Sequence, residues 1–448
     1  MKPEIFGFID IIIGFGWLMI IIMIGFIIRI FNRDKAHYKY FMPNLYFKLF
    51  FGVLFALAYG VVLSEGGDTL AYWDGAVKLN HLFWESPFNY FEELFTTPSQ
   101  STITERFNLE TGYPPSWIYK EHESWFVSKV LSVFTFITFN SYLALTLIFG
   151  FISALASWRF YQLVKDFKFC PEWVLLVASL FIPTVAFWCS GISKDTLTLA
   201  ALYFLIYHLF SIIRKDLRFG FYNVLVILFY VFILYSLRPF MIIALFVPLS
   251  IAIGARFLNS LNSNSIITFS ARTVLYGLVI AFLLSYLGII GGSFLSENPY
   301  LEEVAIIQRD FAENKLYTGY RYDLGITDYS PVGMLSSSPI AIITAFFRPF
   351  IWEANSAFLL ISGVEGALLL YFVFTFFFKR GNLLKHFKFI RSQEFLVFSI
   401  VFVLLMGFFV GFTSGLFNVL VRFKAPLMAF LFIFFSARNP EKTTALQN

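Results

Sequence analysis

Residues 8–30 read FIDIIIGFGWLMIIIMIGFIIRI, and this run holds one acid, Asp10, and one base, Arg29. As a helix it would rise about 34 Å, enough to cross a hydrocarbon layer of ~30 Å. Similar runs recur along all 448 residues. Hydrophobic residues make up 58% of the chain and charged residues only 14%, where a soluble domain carries roughly a quarter. The mean hydropathy is +0.75. A soluble enzyme, a nucleic-acid-binding module and a disordered chain are excluded. The net charge of +5 sits in short loops between apolar runs, so it is no nucleic-acid signal. Cys170 and Cys189 are the two cysteines, too few for a disulfide framework, and no CxxC or HExxH pattern occurs.

Apolar runs bounded by charged breaks predict spans near 8–30, 46–64, 141–164, 172–190, 195–213, 221–237, 239–256, 273–291, 356–378, 394–412 and 416–436. The fold expected is an all-α, polytopic bundle of about eleven spans forming a single transmembrane domain over 1–448. The first run is too long for a cleaved signal peptide, and Lys2 is its only N-terminal cation. Alternate loops collect 20 of the 33 basic residues, from Arg29 through Arg214 and Lys379 to Lys442. Such bias marks the cytoplasmic side. The N-terminus is then outside and the C-terminus inside, a parity that eleven crossings share. Residues 125–138 and 338–354 are apolar but each directly precedes a full span. They are read as interfacial or re-entrant helices on the outer face.

Two outer loops are long, 65–124 and 292–337, and loops of that length are usually functional when ordered. The first is dense in aromatics, and ESPFNYFEELF (85–95) reads as an amphipathic helix on the membrane surface. It opens with GGDTLAYWD (66–74), which sets Asp68 and Asp74 just beyond a span. A carboxylate there can deprotonate an acceptor hydroxyl or hold a divalent cation such as Mg or Mn. The plainer reading of Asp68 is a helix cap.

The turn FWCSGISKDT (187–196) offers Ser193 or Asp195 as a cap and places Lys194 beside a helix N-terminus, a natural phosphate position. Arg238 stands in SLRP, Arg348 in FFRPFIWE with Glu353 five residues on, and Arg422 with Lys424 in VRFKAP. Cations cost roughly 2.5–3.5 kcal/mol at mid-membrane and less near its surface, so they face a partner or a wet cavity. Several on one face suit an anionic ligand, best a lipid-linked phosphate or pyrophosphate. Glu365 is the deepest charge by position along a span, while Asp10 reads as shallow polar decoration. The five histidines are scattered and assemble neither a metal site nor a Ser–His pair.

The segments GGDTLAYW, FWCSGISKD, RPFIWE and VRFKAP, on a many-span chain with an aromatic outer loop and a cationic outer face, resemble GT-C-type glycosyltransferases. They are also similar to the polytopic proteins of bacterial surface-polysaccharide loci, including O-antigen polymerases. The resemblance implies a polyprenyl-phosphate-linked saccharide as donor and a glycan, lipid or protein as acceptor. It implies Asp68, with Asp74 in reserve, as catalytic carboxylate. Lys194, Arg238, Arg348, Arg422 and Lys424 would bind the donor phosphate, supported by Asp195, Glu353 and Glu365. One departure is the extra helix ahead of the acidic loop. Two rivals stand beside it: a lipid-linked oligosaccharide flippase, and an exosortase-like transpeptidase with Cys189 as nucleophile.

Overall fold

The computed structural model describes residues 5–62, 67–218, 220–260, 274, 277, 306, 310, 320–325, 328, 331–378 and 383–438. Among them the architecture is all-helical, and the sole bridge pairs Arg321 with Leu416. Seven helices are long and apolar enough to cross a membrane: Phe8–Ile30, Ala36–Val62, Tyr142–Lys165, Lys194–Ile213, Ala357–Phe378, Glu394–Thr413 and Phe417–Ser436. Four more apolar stretches are shorter, Glu172–Trp188, Phe221–Leu237, Pro239–Gly254 and Val332–Phe347. Most of the expected span 273–291 and of loop 292–337 lies outside the described residues. The chain divides into two compact units, Met1–Leu163 with Ser179–Pro239, and Val164–Ala178 with Phe240–Asn448.

In the first unit, α1 (Phe8–Ile30) buries a stripe of Asp10, Gly14, Ile21 and Gly25 and exposes Phe8, Ile9, Phe15 and Met23. This inverts the soluble pattern: small residues meet protein and large apolar ones face outward, as helices pack in lipid. A Cβ on Gly14 would lie 2.5 Å from the Leu143 side chain of α8 (Tyr142–Lys165), so only glycine permits this approach. Asp10 is no decoration. Its carboxylate accepts from the Ser141 hydroxyl at 2.6 Å and the Leu143 N–H at 3.3 Å, tying α1 to the start of α8.

The second span begins earlier than position 46. Helix α2 (Phe41–Leu57), entered through a 3-10 turn at Ala36–Tyr40, is prolonged to Val62 by a π turn. Asn44 interrupts the apolar run ahead of position 46, and Lys48 adds a charge just inside it. Both are buried, and Asn44 donates to the Ala154 carbonyl at 2.9 Å.

The described part of loop 65–124 folds as helices. These are α3 (Gly67–Glu85), α4 (Pro87–Phe95), α5 (Gln100–Arg106) and α6 (Ser116–Lys120), followed by α7 (His122–Thr138). One side of α7 repeats small hydroxyl residues, Ser124, Ser128, Ser132 and Thr135, all buried. Ser128 donates to the Tyr72 carbonyl at 3.1 Å, and Asn80 donates to Thr135 Oγ1 at 3.0 Å. Helix α4 starts at a Ser86 cap and Pro87 and is amphipathic as expected, with Tyr90 and Glu93 inward and Phe88 and Phe95 exposed.

The expected span 172–190 is two helices, α9 (Glu172–Leu180) and α10 (Pro183–Trp188). Pro183 has no N–H to continue the ladder. Residues 189–193 are buried and lead into α11 (Lys194–Ile213), where the Ser193 hydroxyl accepts from the Thr196 N–H at 3.1 Å. The cap is therefore Ser193, leaving Asp195 for another partner. The unit closes with α12 (Phe221–Leu237).

The second unit contains most of α9 together with α13 (Pro239–Ser260), α14 (Pro331–Phe347), α15 (Ala357–Phe378), α16 (Leu383–Ser392), α17 (Glu394–Thr413) and α18 (Phe417–Ser436). Helix α18 is buried along most of its length. Phenylalanines bond it to its neighbours: Phe430 packs edge-on to Phe398 and Phe402 of α17, and Phe432 packs edge-on to Phe372 of α15. Such aromatic pairs contribute about 0.5–1.5 kcal/mol each beyond area burial. The segment 338–354 is the end of α14, a cis Arg348–Pro349 bond and a 3-10 turn at Ile351–Glu353.

Candidate functional site

In the first unit the chemistry gathers around the N-terminus of α11. Asp195, in its first turn, forms a direct ion pair with Arg238 at the end of α12. Both side chains are buried, Asp195 at 2% exposure and Arg238 at 9%. One residue earlier, Lys194 points to a different pair of acids, Glu121 at 3.4 Å and Glu123 at 3.5 Å, at the start of α7. These glutamates are solvent-facing, with side chains 54% and 43% exposed. Ion pairs of that kind contribute only about 0–1 kcal/mol. The two cations thus differ: Arg238 is locked to a buried carboxylate, and Lys194 is held weakly.

Asp68 lies in the first turn of α3 and is partly exposed. The next residue, Thr69, shares a 3.2 Å hydrogen bond with the Tyr142 hydroxyl, which fixes that turn against α8. Asp74 faces Lys78 one turn on, at 3.9 Å. Six helical residues turn through about 600°, so Asp68 and Asp74 lie roughly 120° apart around α3 and about 9 Å apart along it. They do not share a face of the helix. Among the described residues no three His, Cys, Asp or Glu side chains gather as a metal site.

The second unit has its own cationic group. Arg348 donates to Glu353 through Nε at 2.9 Å and through Nη2, and Glu353 also accepts from the Phe350 N–H at 2.8 Å. Burial alone would raise the Glu353 carboxyl, but the Arg348 and Phe350 hydrogen bonds outweigh it and hold the group below its usual value. The guanidinium also stands 5.0 Å from the Tyr322 ring centre and 5.2 Å from that of Phe417, close enough for cation–π attraction. Lys424 of α18 is fully buried and donates to the Arg348 carbonyl at 2.9 Å, with Glu365 of α15 within electrostatic reach. Arg422 is partly buried on the same helix. Sequence spacing foresaw the Arg348–Glu353 pair but not the buried carbonyl that Lys424 serves.

Other ionisable groups escaped the sequence reading. Glu93 is fully buried, accepting from Arg106 at 2.6 Å and from the Trp125 indole at 2.8 Å. Arg106 also reaches Glu92 at 2.7 Å. Lys129 donates to the Thr96 carbonyl at 2.7 Å. Burial pushes Lys129 down to about 8, with Glu93 opposing and Arg106 adding to the fall. Lys48, 1% exposed in the middle of α2, is as deeply buried as Lys424 and more so than Glu365. Its signal was visible as a lysine flanked by apolar residues at helical spacing. Cys189 is also fully buried, which gives no support to a nucleophilic thiol, since such thiols need access.

No family model, curated protein or solved structure matches this chain.

Proposed function

We propose that the protein is an integral membrane glycosyltransferase acting at the outer face of a bacterial cytoplasmic membrane. It moves a sugar or oligosaccharide from a polyprenyl-phosphate-linked donor to a hydroxyl acceptor during surface polysaccharide or glycoconjugate assembly. The topology proposed with it has about eleven spans. These are the seven long helices, the apolar stretches 172–188, 221–237 and 239–254, and the run 273–291.

The observation that carries the reading is the state of Lys194. Its ammonium stands at a helix N-terminus, where backbone N–H groups favour anions, and its present partners are exposed glutamates that a phosphate dianion can displace. Arg238, fixed by Asp195, adds a preorganised charge on the same helix end, of the kind that offsets charge developing on a leaving phosphate. Asp68 takes the acceptor proton as general base. Arg348, Arg422 and Lys424, with Glu353 and Glu365 supporting, form a second cationic group proposed for the donor.

The test is turnover in proteoliposomes loaded with a polyprenyl-diphosphate-linked oligosaccharide. The wild-type chain should lengthen or transfer the glycan, and Asp68→Asn should bind the lipid without turnover. A second reading, a lipid-linked oligosaccharide flippase, is favoured by Lys48 and Glu365, ionisable groups buried in apolar helices. A flippase carrying Asp68→Asn would still move lipid across the bilayer and would leave the glycan unchanged.

A further inference from the structure

We propose that α16 docks anionic phospholipid headgroups at the membrane surface. Its place in the chain fixes where it lies. The helices on either side of it, α15 and α17, are both long and apolar enough to cross a membrane. Gln393 alone separates α16 from α17. Two successive spans turn back at one face of the bilayer, so the ten-residue helix between them lies at that face.

Around α16 the side chains divide. His386 and Ile390, four residues apart, are buried, and the His386 ring packs edge-on to Phe376 of α15 at 4.8 Å. The outward arc carries Phe387, Arg391, Leu384 and Lys388. At about 100° per residue these four fall within roughly 100° of one another, with Lys385 at the edge of the arc. All five are exposed, Leu384 at 80% and Phe387 at 46%. A face that interleaves large apolar side chains with cations suits neither open water nor hydrocarbon. It suits the boundary between them. Leu384 and Phe387 enter the acyl region, while the Lys388 and Arg391 stems lie beside them and hold their charges at phosphate depth. Charge gives the headgroup its sign. Residues 379–393 include Lys379, Arg380, Lys385, Lys388 and Arg391 and no acid. Four to eight such cations beside a span or on an amphipathic helix mark a surface for anionic lipid. None of these side chains belongs to the proposed transfer site.

The experiment uses the full-length protein in phosphatidylcholine nanodiscs carrying a trace of photoactivatable phosphatidylglycerol. Labelling should concentrate at residues 383–392, and a photoactivatable phosphatidylcholine at the same level should label this segment far less. Enriching the bulk lipid in unlabelled phosphatidylglycerol should displace the probe, whereas soluble glycerol phosphate should not. Lys388→Gln with Arg391→Gln removes two exposed cations from a helix that glutamine tolerates. The double variant should weaken capture about 25-fold, roughly fivefold for each cation. Its unfolding midpoint in pure phosphatidylcholine should match wild type, which separates lost binding from lost folding. Lys388→Gln alone should weaken capture about fivefold and decides the matter if the double variant folds poorly. Equal labelling by the two probes, capture unchanged in these variants, or cross-links from 383–392 to a second copy of the chain in place of lipid would overturn the proposal.

Discussion

Arg238 and Asp195 form a buried ion pair that joins the end of α12 to the first turn of α11. Removing one member strands the other charge away from water, which typically costs about 3–5 kcal/mol, whereas replacing both with apolar residues is often neutral. Arg238→Met and Asp195→Leu should each lower the unfolding midpoint strongly, and the double variant should recover most of it. If Arg238 also serves the donor phosphate, the double variant stays inactive while stable. Thermal unfolding and glycan transfer, measured on the same nanodisc samples, separate the two roles.

Glu93 is the hub of the first long loop, receiving Arg106 and the Trp125 indole. Glu93→Leu leaves Arg106 without its buried partner and should cost about 3 kcal/mol locally. The measurement is limited proteolysis: cleavage within 96–115 should accelerate severalfold while helices outside the loop stay protected. Unchanged cleavage would show that the hub does not hold the loop.

Lys129 gives this region a pH signature. In the unfolded chain the amine keeps its proton up to the ordinary value of 10.5, but in the fold it releases it at about 8. Between those limits the unfolded chain binds more protons, so stability rises with pH. From pH 8 to 9.5 the gain should be on the order of 1–2 kcal/mol, read as a rising unfolding midpoint. Lys129→Met should flatten the profile over that window.

How much of this was legible follows from what sets each feature. The runs at 8–30 and 394–436 are long enough to announce helices by hydropathy alone, and their bounds in the structure shift by a residue or two. Segment 172–190 read as one unbroken helix because its hydropathy is continuous, and the break depends on Pro183. Residues 41–45 misled for the opposite reason: Asn44 interrupts the apolar run, and its amide nitrogen is satisfied only once Ala154 is placed beside it. Arg348 and Glu353 are five residues apart, so their pairing was readable. Arg238 lies 43 residues from Asp195, and Glu121 and Glu123 lie about 70 from Lys194. Those partnerships are tertiary facts that no local spacing carries. Glu93 was hidden likewise, because an acid on a surface-type helix gives no sign that Arg106 and Trp125 cover it.

Asp68 and Asp74 should separate cleanly. Asp74 sits against Lys78 on another face of α3, so Asp74→Asn should leave transfer within about threefold of wild type. Asp68→Asn should cut it by about 10²–10⁴, the usual range for loss of a general base, with little change in unfolding midpoint. Equal losses for the two variants would assign Asp68 no special role.

Weakening Lys194 should act on binding. Lys194→Gln removes the ammonium but keeps the Ser193 cap, so the helix should stay intact while donor affinity falls about tenfold. Raising salt should reproduce part of the loss in wild type, because exposed charges are screened within about 8 Å at physiological ionic strength. Donor titration at two salt concentrations checks this.

The most direct measurement is the lipid-linked glycan that accumulates in host cells carrying Asp68→Asn in place of the wild-type chain, with protein abundance shown to be equal. The account expects a donor-linked intermediate to build up, either an unextended repeat unit or a full-length unattached chain, together with loss of the mature surface glycan. A glycan and lipid profile indistinguishable from wild type would contradict it.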